Sequence, residues 1–128
     1  MNRRTVLVTG AASGIGCRLA TDLASSGDVV FAADIDDEGL ARSYDERRWR
    51  EDDVETMPLD VAKPEDWQSA VNRIVDERGQ LDLLVHAAAI ADAGRIIESD
   101  PDAMSRQVDV NLKGTMFGAR YVGAAMAR

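Results

Sequence analysis

Thr9-Gly10-Ala11-Ala12-Ser13-Gly14-Ile15-Gly16 decides how this chain is read, because it joins the apolar run Val6-Leu7-Val8 to the helical spacing Ile15, Leu19, Leu23. Strand, glycine turn and helix follow directly on one another. A helix N-terminus presents N–H groups without intrahelical partners and a partial positive charge, so a glycine turn there lets a phosphate reach the backbone without meeting a Cβ. Gly10 is expected to permit the tight turn off the strand, Gly14 to admit a pyrophosphate, and Gly16 to let the helix pack closely on the strand. The spacing is G-x-x-x-G-x-G rather than G-x-G-x-x-G, and no Lys-Ser or Lys-Thr follows, which argues against a nucleoside-triphosphate loop. An ordinary glycine-rich loop is the alternative for the motif taken alone; the strand before it and the helix after it favour phosphate.

Downstream, residues 29–33 form a second apolar run that ends in Asp34. At the end of a second parallel strand a carboxylate can accept both adenosine ribose hydroxyls and repel a 2′-phosphate, so Asp34 predicts NAD over NADP. Capping of the next helix, shared with Asp36 and Asp37, is its other reading. Residues 54–59 give a third strand closing on Asp60 and Val61, and Pro64 opens a helix with Trp67, Ala70, Val71, Ile74 and Val75 on one face. Residues 81–89 are nearly all apolar, as in a parallel strand covered on both faces. A loop over 90–99 follows, then Asp100 as N-cap and Pro101 open a last helix running toward Arg128. The order βαβαβαβα with right-handed crossovers predicts an α/β fold of the Rossmann type, a parallel sheet in the order 3-2-1-4 with helices on both faces.

The bulk numbers fit. At 128 residues the chain is expected to form one domain over 1–128, burying roughly two-thirds of the surface it exposes unfolded. With 45% hydrophobic residues and only 5% aromatic, its core must be aliphatic. The net charge of −8 argues against nucleic acid or an anionic membrane as partner. Cys17 is the single cysteine, which makes the cytoplasm the expected compartment. Arg3 and Arg4 precede an apolar run too short for a signal peptide, and no stretch approaches membrane-spanning length or forms a metal-ligand cluster. Trp49, Trp67 and His86 are expected to be packing residues.

These motifs together resemble the N-terminal half of a short-chain dehydrogenase/reductase, from Val6 to Gly114 and into the helix beyond. The resemblance implies a cofactor turn at Thr9 to Gly16, including Ser13 and Ile15, and an NAD-selecting acid at Asp34 followed by Ile35. It also implies an adenine contact at Asp60 and Val61, and a catalytic asparagine at Asn111 within Asn111-Leu112-Lys113-Gly114. His86-Ala87-Ala88-Ala89 stands where the family has Asn-Asn-Ala-Gly; Ala87, Ala88 and Ala89 still leave room for a cofactor. Members of the family transfer hydride between NAD(H) and an alcohol or carbonyl substrate, using a serine and a Tyr-x-x-x-Lys pair. A tyrosine with an ordinary pKa of about 10 needs a nearby ammonium to exchange protons near neutrality. Here Tyr44 is followed at that spacing by Arg48 and Tyr121 by Ala125. The chain therefore reads as the NAD-binding part of a longer oxidoreductase, inactive alone. A freestanding NAD-binding pseudoenzyme and a structural remnant are the alternatives.

A sheet of this order leaves its fourth strand as an edge, and the stripe Val110, Gly114, Phe117, Gly118, Tyr121, Ala125 on the last helix is apolar with small residues. Both features lead to the expectation of a homo-oligomer, joined at the strand edge or along this helix.

Overall fold

A computed structural model describes residues 3–128. β1 (Thr5–Thr9), α1 (Gly14–Ser25), β2 (Val29–Asp34), α2 (Asp37–Glu46), β3 (Val54–Pro58), α3 (Pro64–Arg78) and β4 (Leu83–His86) alternate along the chain. A short 3₁₀ turn (Ile96–Glu98) then precedes α4 (Pro101–Gln107), a π turn (Val108–Lys113) and α5 (Gly114–Met126), which form one helical run. The sheet is parallel in the order β3-β2-β1-β4, with Leu7 opposite Phe31 on one side and Leu84 on the other. This is the order that right-handed crossovers require.

All five residues of β1 are buried because both of its neighbours are strands and both sheet faces are covered. Alternation sends Leu7 to one face and Val6 and Val8 to the other. Leu7 and Phe31 meet Trp67 and Ile74 of α3 and Val122 of α5. Val6, Val8 and Val30 meet Cys17 and Ala20 of α1 and Leu40 of α2. Trp67 is fully buried and donates from Nε1 to the Val61 carbonyl at 2.9 Å. Trp49 is also buried, bonded through Nε1 to Thr21 and edge-on to Tyr44. Both tryptophans pack, as expected.

Three expectations need correction. The fourth strand covers Leu83–His86 rather than 81–89, since its one ladder among the described residues, to β1, ends at Thr9 opposite His86 where the glycine turn carries β1 away. Its residues are half-buried because one side has no strand neighbour among the described residues. The last helix is not uniform, and Asp100, although at the N-cap position, makes no side-chain cap bond. The apolar stripe on α5 does not stand free. Gly118 lies against the Trp67 ring and Gly114 against Val61, so the small residues let α3 of the same chain come close. No helix among the described residues is long and apolar enough to cross a membrane.

Arg3 and Arg4 turn out to tie the N-terminus down. Arg3 pairs with Asp53 and donates to the carbonyls of Gly27, Asp28 and Asp52, while Arg4 binds both oxygens of the buried Asp28 at 3.0 and 2.8 Å. The hydrogen bonds from Arg4 hold the Asp28 carboxyl below its ordinary range, more than burial raises it.

Three outcomes follow for stability. Gly118→Val puts a Cβ 2.8 Å from a buried indole carbon and is expected to cost roughly 1–3 kcal/mol in urea denaturation. Gly123→Ala, with nothing within 4 Å, is expected to add about 0.5–1 kcal/mol. A carboxyl with a lowered folded-state pKa contributes stability that is present above its unfolded value of about 4 and is lost as pH falls through the folded value. Asp28→Asn should therefore lower stability at neutral pH and flatten the acid limb of a stability-against-pH curve.

Candidate cofactor cleft

The C-terminal ends of all four strands open on one cleft of about 510 Å³. Such a crevice outside the carboxyl ends of parallel strands is where α/β sheets take ligands. The glycine turn contributes Gly10, Ser13, Gly14, Ile15 and Gly16, the end of β2 contributes Asp34 and Ile35, and the segment after β3 contributes Asp60 and Val61. Ala87, Ala88 and Ala89 complete it after β4. Every residue expected to contact a dinucleotide thus lines a single space.

Steric fit explains the glycines. Gly10 has φ +67° and a Cβ there would lie 2.8 Å from the Ala88 backbone, so it is needed for the approach of the β4 exit as well as for the turn. Gly14, at φ +55°, has no atom within 4 Å of where its Cβ would be and faces open space. A Cβ on Gly16 would stand 2.2 Å from the Gly10 carbonyl oxygen, so the first turn of α1 sits directly on the end of the β1 turn. Ser13 is the N-cap of α1 but its hydroxyl makes no cap bond, and the first turn holds no acidic residue. By contrast, α2 begins with Asp36 capping the Gly39 N–H, followed by Asp37 and Glu38. The positive end of α1 is left without a carboxylate partner.

Asp36, not Asp34, is the cap of α2. The Asp34 carboxylate instead takes the Ala12 N–H on Oδ2 and the Asp36 N–H on Oδ1, both at 3.0 Å, while still lining the cleft. Asp60 accepts the Ala62 N–H in the same manner. These two carboxylates face one cation among the described lining residues, Arg106.

Asn111 does not line the cleft. It lies in the π turn, where its Oδ1 accepts the Ile90 N–H at 2.9 Å and its Nδ2 donates to the Ile90 carbonyl at 2.7 Å. Its amide thus acts as a strand partner for the residue that follows the alanines. His86 is packed 5.6 Å from the Trp67 ring. Thr9 Oγ1 accepts the Ala88 N–H and shares a 2.8 Å hydrogen bond with His86 Nδ1, while His86 Nε2 is buried without a partner among the described residues. Burial lowers the His86 pKa.

Sequence reasoning missed Leu59, Ile90, Arg106 and Val110, which also line the cleft. Val110, part of the stripe expected to mediate association, thus faces the cleft. The available signal was spacing: Arg106, Val110 and Gly114 fall at i, i+4 and i+8, and Gly114 packs on Val61 at the cleft wall.

Comparison with known proteins agrees with this geometry. Residues 4–128 match the family model for short chain dehydrogenases. The chain is 35% identical to 3beta-hydroxysteroid dehydrogenase 2 of Eggerthella lenta, over 91% of this chain and 45% of that protein. It is 34% identical to galactitol 2-dehydrogenase of Agrobacterium fabrum, over 98% and 48%. Among solved structures, a short-chain dehydrogenase/reductase from Burkholderia phymatum in complex with NAD superposes with a TM-score of 0.90 at 28% identity, covering 98% of this chain and 44% of that one. A variant of actinorhodin polyketide ketoreductase with NADPH gives 0.88 at 29% identity, covering 96% and 47%. The chain spans about half the length of the curated relatives it matches.

Proposed function

The chain belongs to the short-chain dehydrogenase family, and from that premise we propose that its cleft binds a nicotinamide dinucleotide, NAD in preference to NADP. The observation that carries this reading is the convergence of the glycine turn, Asp34, Asp60 and the alanine segment on one cleft at the uncapped start of α1. The pyrophosphate is assigned to Gly14 and the α1 N–H groups, where no Cβ intervenes. Asp34 keeps lone pairs free beyond its two backbone bonds, and these are assigned to the adenosine ribose hydroxyls. Adenine is assigned to the space between Asp60-Val61 and Ala87 to Ala89, with Val110 and Arg106 on the adjoining wall.

What NAD supplies in this family is hydride exchange with an alcohol or carbonyl carbon. The residues of this chain bind it, orient it and keep a 2′-phosphate out through the Asp34 charge. Asn111 acts as a positioning residue that holds Ile90 and so the exit of β4. Within these 128 residues no tyrosine has a lysine four positions on, so turnover is assigned to a whole enzyme and not to this stretch alone. For the 128-residue chain by itself, self-association is proposed at the edge of β4 that has no strand neighbour among the described residues, since α3 packs on the helix stripe.

Titration calorimetry tests the binding assignment. NAD should bind with a Kd below about 1 mM, and NADP at least about tenfold more weakly. No heat from NAD at millimolar concentration overturns the cofactor assignment; tighter binding of NADP overturns the role of Asp34. Light scattering at micromolar concentration should give a mass above that of one chain. A sharp single-chain mass removes the edge-pairing proposal.

A further inference from the structure

Ser43 lies on α2 outside the cleft and is 7% exposed, with its hydroxyl buried in the contact between α2 and the glycine turn. A serine inside a helix usually bonds the carbonyl one turn back. Ser43 instead donates to the carbonyl of Ala12 at 2.8 Å, 31 positions away in sequence. Gly39, one turn earlier on the same face, makes this approach possible, since a Cβ there would lie 3.1 Å from the Ala12 methyl and closer still to the Asp36 carboxylate.

Ala12 is therefore held at both of its backbone polar groups. Its N–H is fixed by Asp34 Oδ2 at 3.0 Å and its carbonyl by Ser43. The carbonyl of Ala12 shares a planar trans peptide with the N–H of Ser13, and the two dipoles point in opposite directions. Fixing the oxygen toward α2 directs the Ser13 N–H away from α2, at a residue that lines the cleft beside Gly14. We propose that Ser43 is a positioning residue that aims the Ser13 and Gly14 backbone at the pyrophosphate of a bound dinucleotide, acting through the Ala12 peptide. The inference rests on the assignment of that cleft to a dinucleotide.

The test uses the 128-residue chain, its Ser43→Ala and Ser43→Thr variants, and two ligands: ADP-ribose, which carries the pyrophosphate, and adenosine, which does not. Affinities are read by chemical-shift titration and melting temperatures on the same samples. Ser43→Ala is expected to weaken ADP-ribose about tenfold, the effect of one hydrogen bond, and to leave adenosine unchanged. Ser43→Thr, which keeps the hydroxyl, should restore ADP-ribose binding. A serine that only stabilised the fold would lower the melting temperature and leave the ratio of the two affinities as it was, and that result overturns the proposal. Equal weakening of both ligands overturns it as well. If the unaltered chain binds neither ligand, the cleft assignment fails and this inference with it; if it binds both and Ser43→Ala changes neither, only the role of Ser43 fails.

Discussion

The Gly10 carbonyl and the bare Cα of Gly16 occupy neighbouring space that admits no third atom. A Cβ at Gly16 would overlap that oxygen and crowd the Thr9 carbonyl behind it. Because α1 can sit this close to the end of β1, its first residues, Gly14 to Gly16, line the cleft, with β2 and β4 paired on either side of β1. The cleft, the burial of Cys17 and Ala20, and the path of the chain into β2 all follow from that contact. Gly10 carries a second demand. Its missing side chain is where the backbone of Ala88 passes, so one residue fixes both the turn after β1 and the distance between the β1 and β4 exits.

The sheet order was legible because it depends on local signals: apolar runs short enough to be strands, glycines at their ends, and a repeat of three and four residues between them. The cleft residues were legible for a related reason. A backbone that must meet a phosphate needs glycines at fixed positions, and Asp34 and Asp60 stand at strand ends where topology alone brings them to one side. The strand ends and the helix face were not legible. Residues 81–89 read as a strand covered on both faces, yet nothing in an apolar run says how many neighbours the strand will have. The stripe on α5 read as free because its partners, Trp67 and Val61, lie far away in the chain. A π turn leaves no composition signal either, so the reach of Asn111 to Ile90 was hidden, although the need for an asparagine was not.

Asp34 shows how one carboxylate can carry a structural task that its sequence context does not disclose. Ribose selection and helix capping stood as two alternatives for the residue. Asp36 takes the cap, and Asp34 takes a task that neither alternative contained, which is to hold the N–H of Ala12 in the glycine turn. A carboxylate has enough lone pairs for both the turn and a sugar. Its charge therefore acts on the geometry of the turn as well as on the proposed ligand.

The same economy applies to charge across the molecule. A chain with a net charge of −8 repels an anion at long range, and two carboxylates line the cleft itself. Attraction must come from sources that a formal count omits. The uncapped N-terminus of α1 supplies oriented N–H groups, and Arg106 supplies a guanidinium that forms no ion pair among the described residues. Acidic residues stand in the first turns of α2 and α3, whereas α1 has none at the mouth of the cleft. Negative charge is thus kept off the α1 terminus, where the proposed pyrophosphate would lie, while Asp34 and Asp60 stand at the strand ends, on the side proposed for ribose and base.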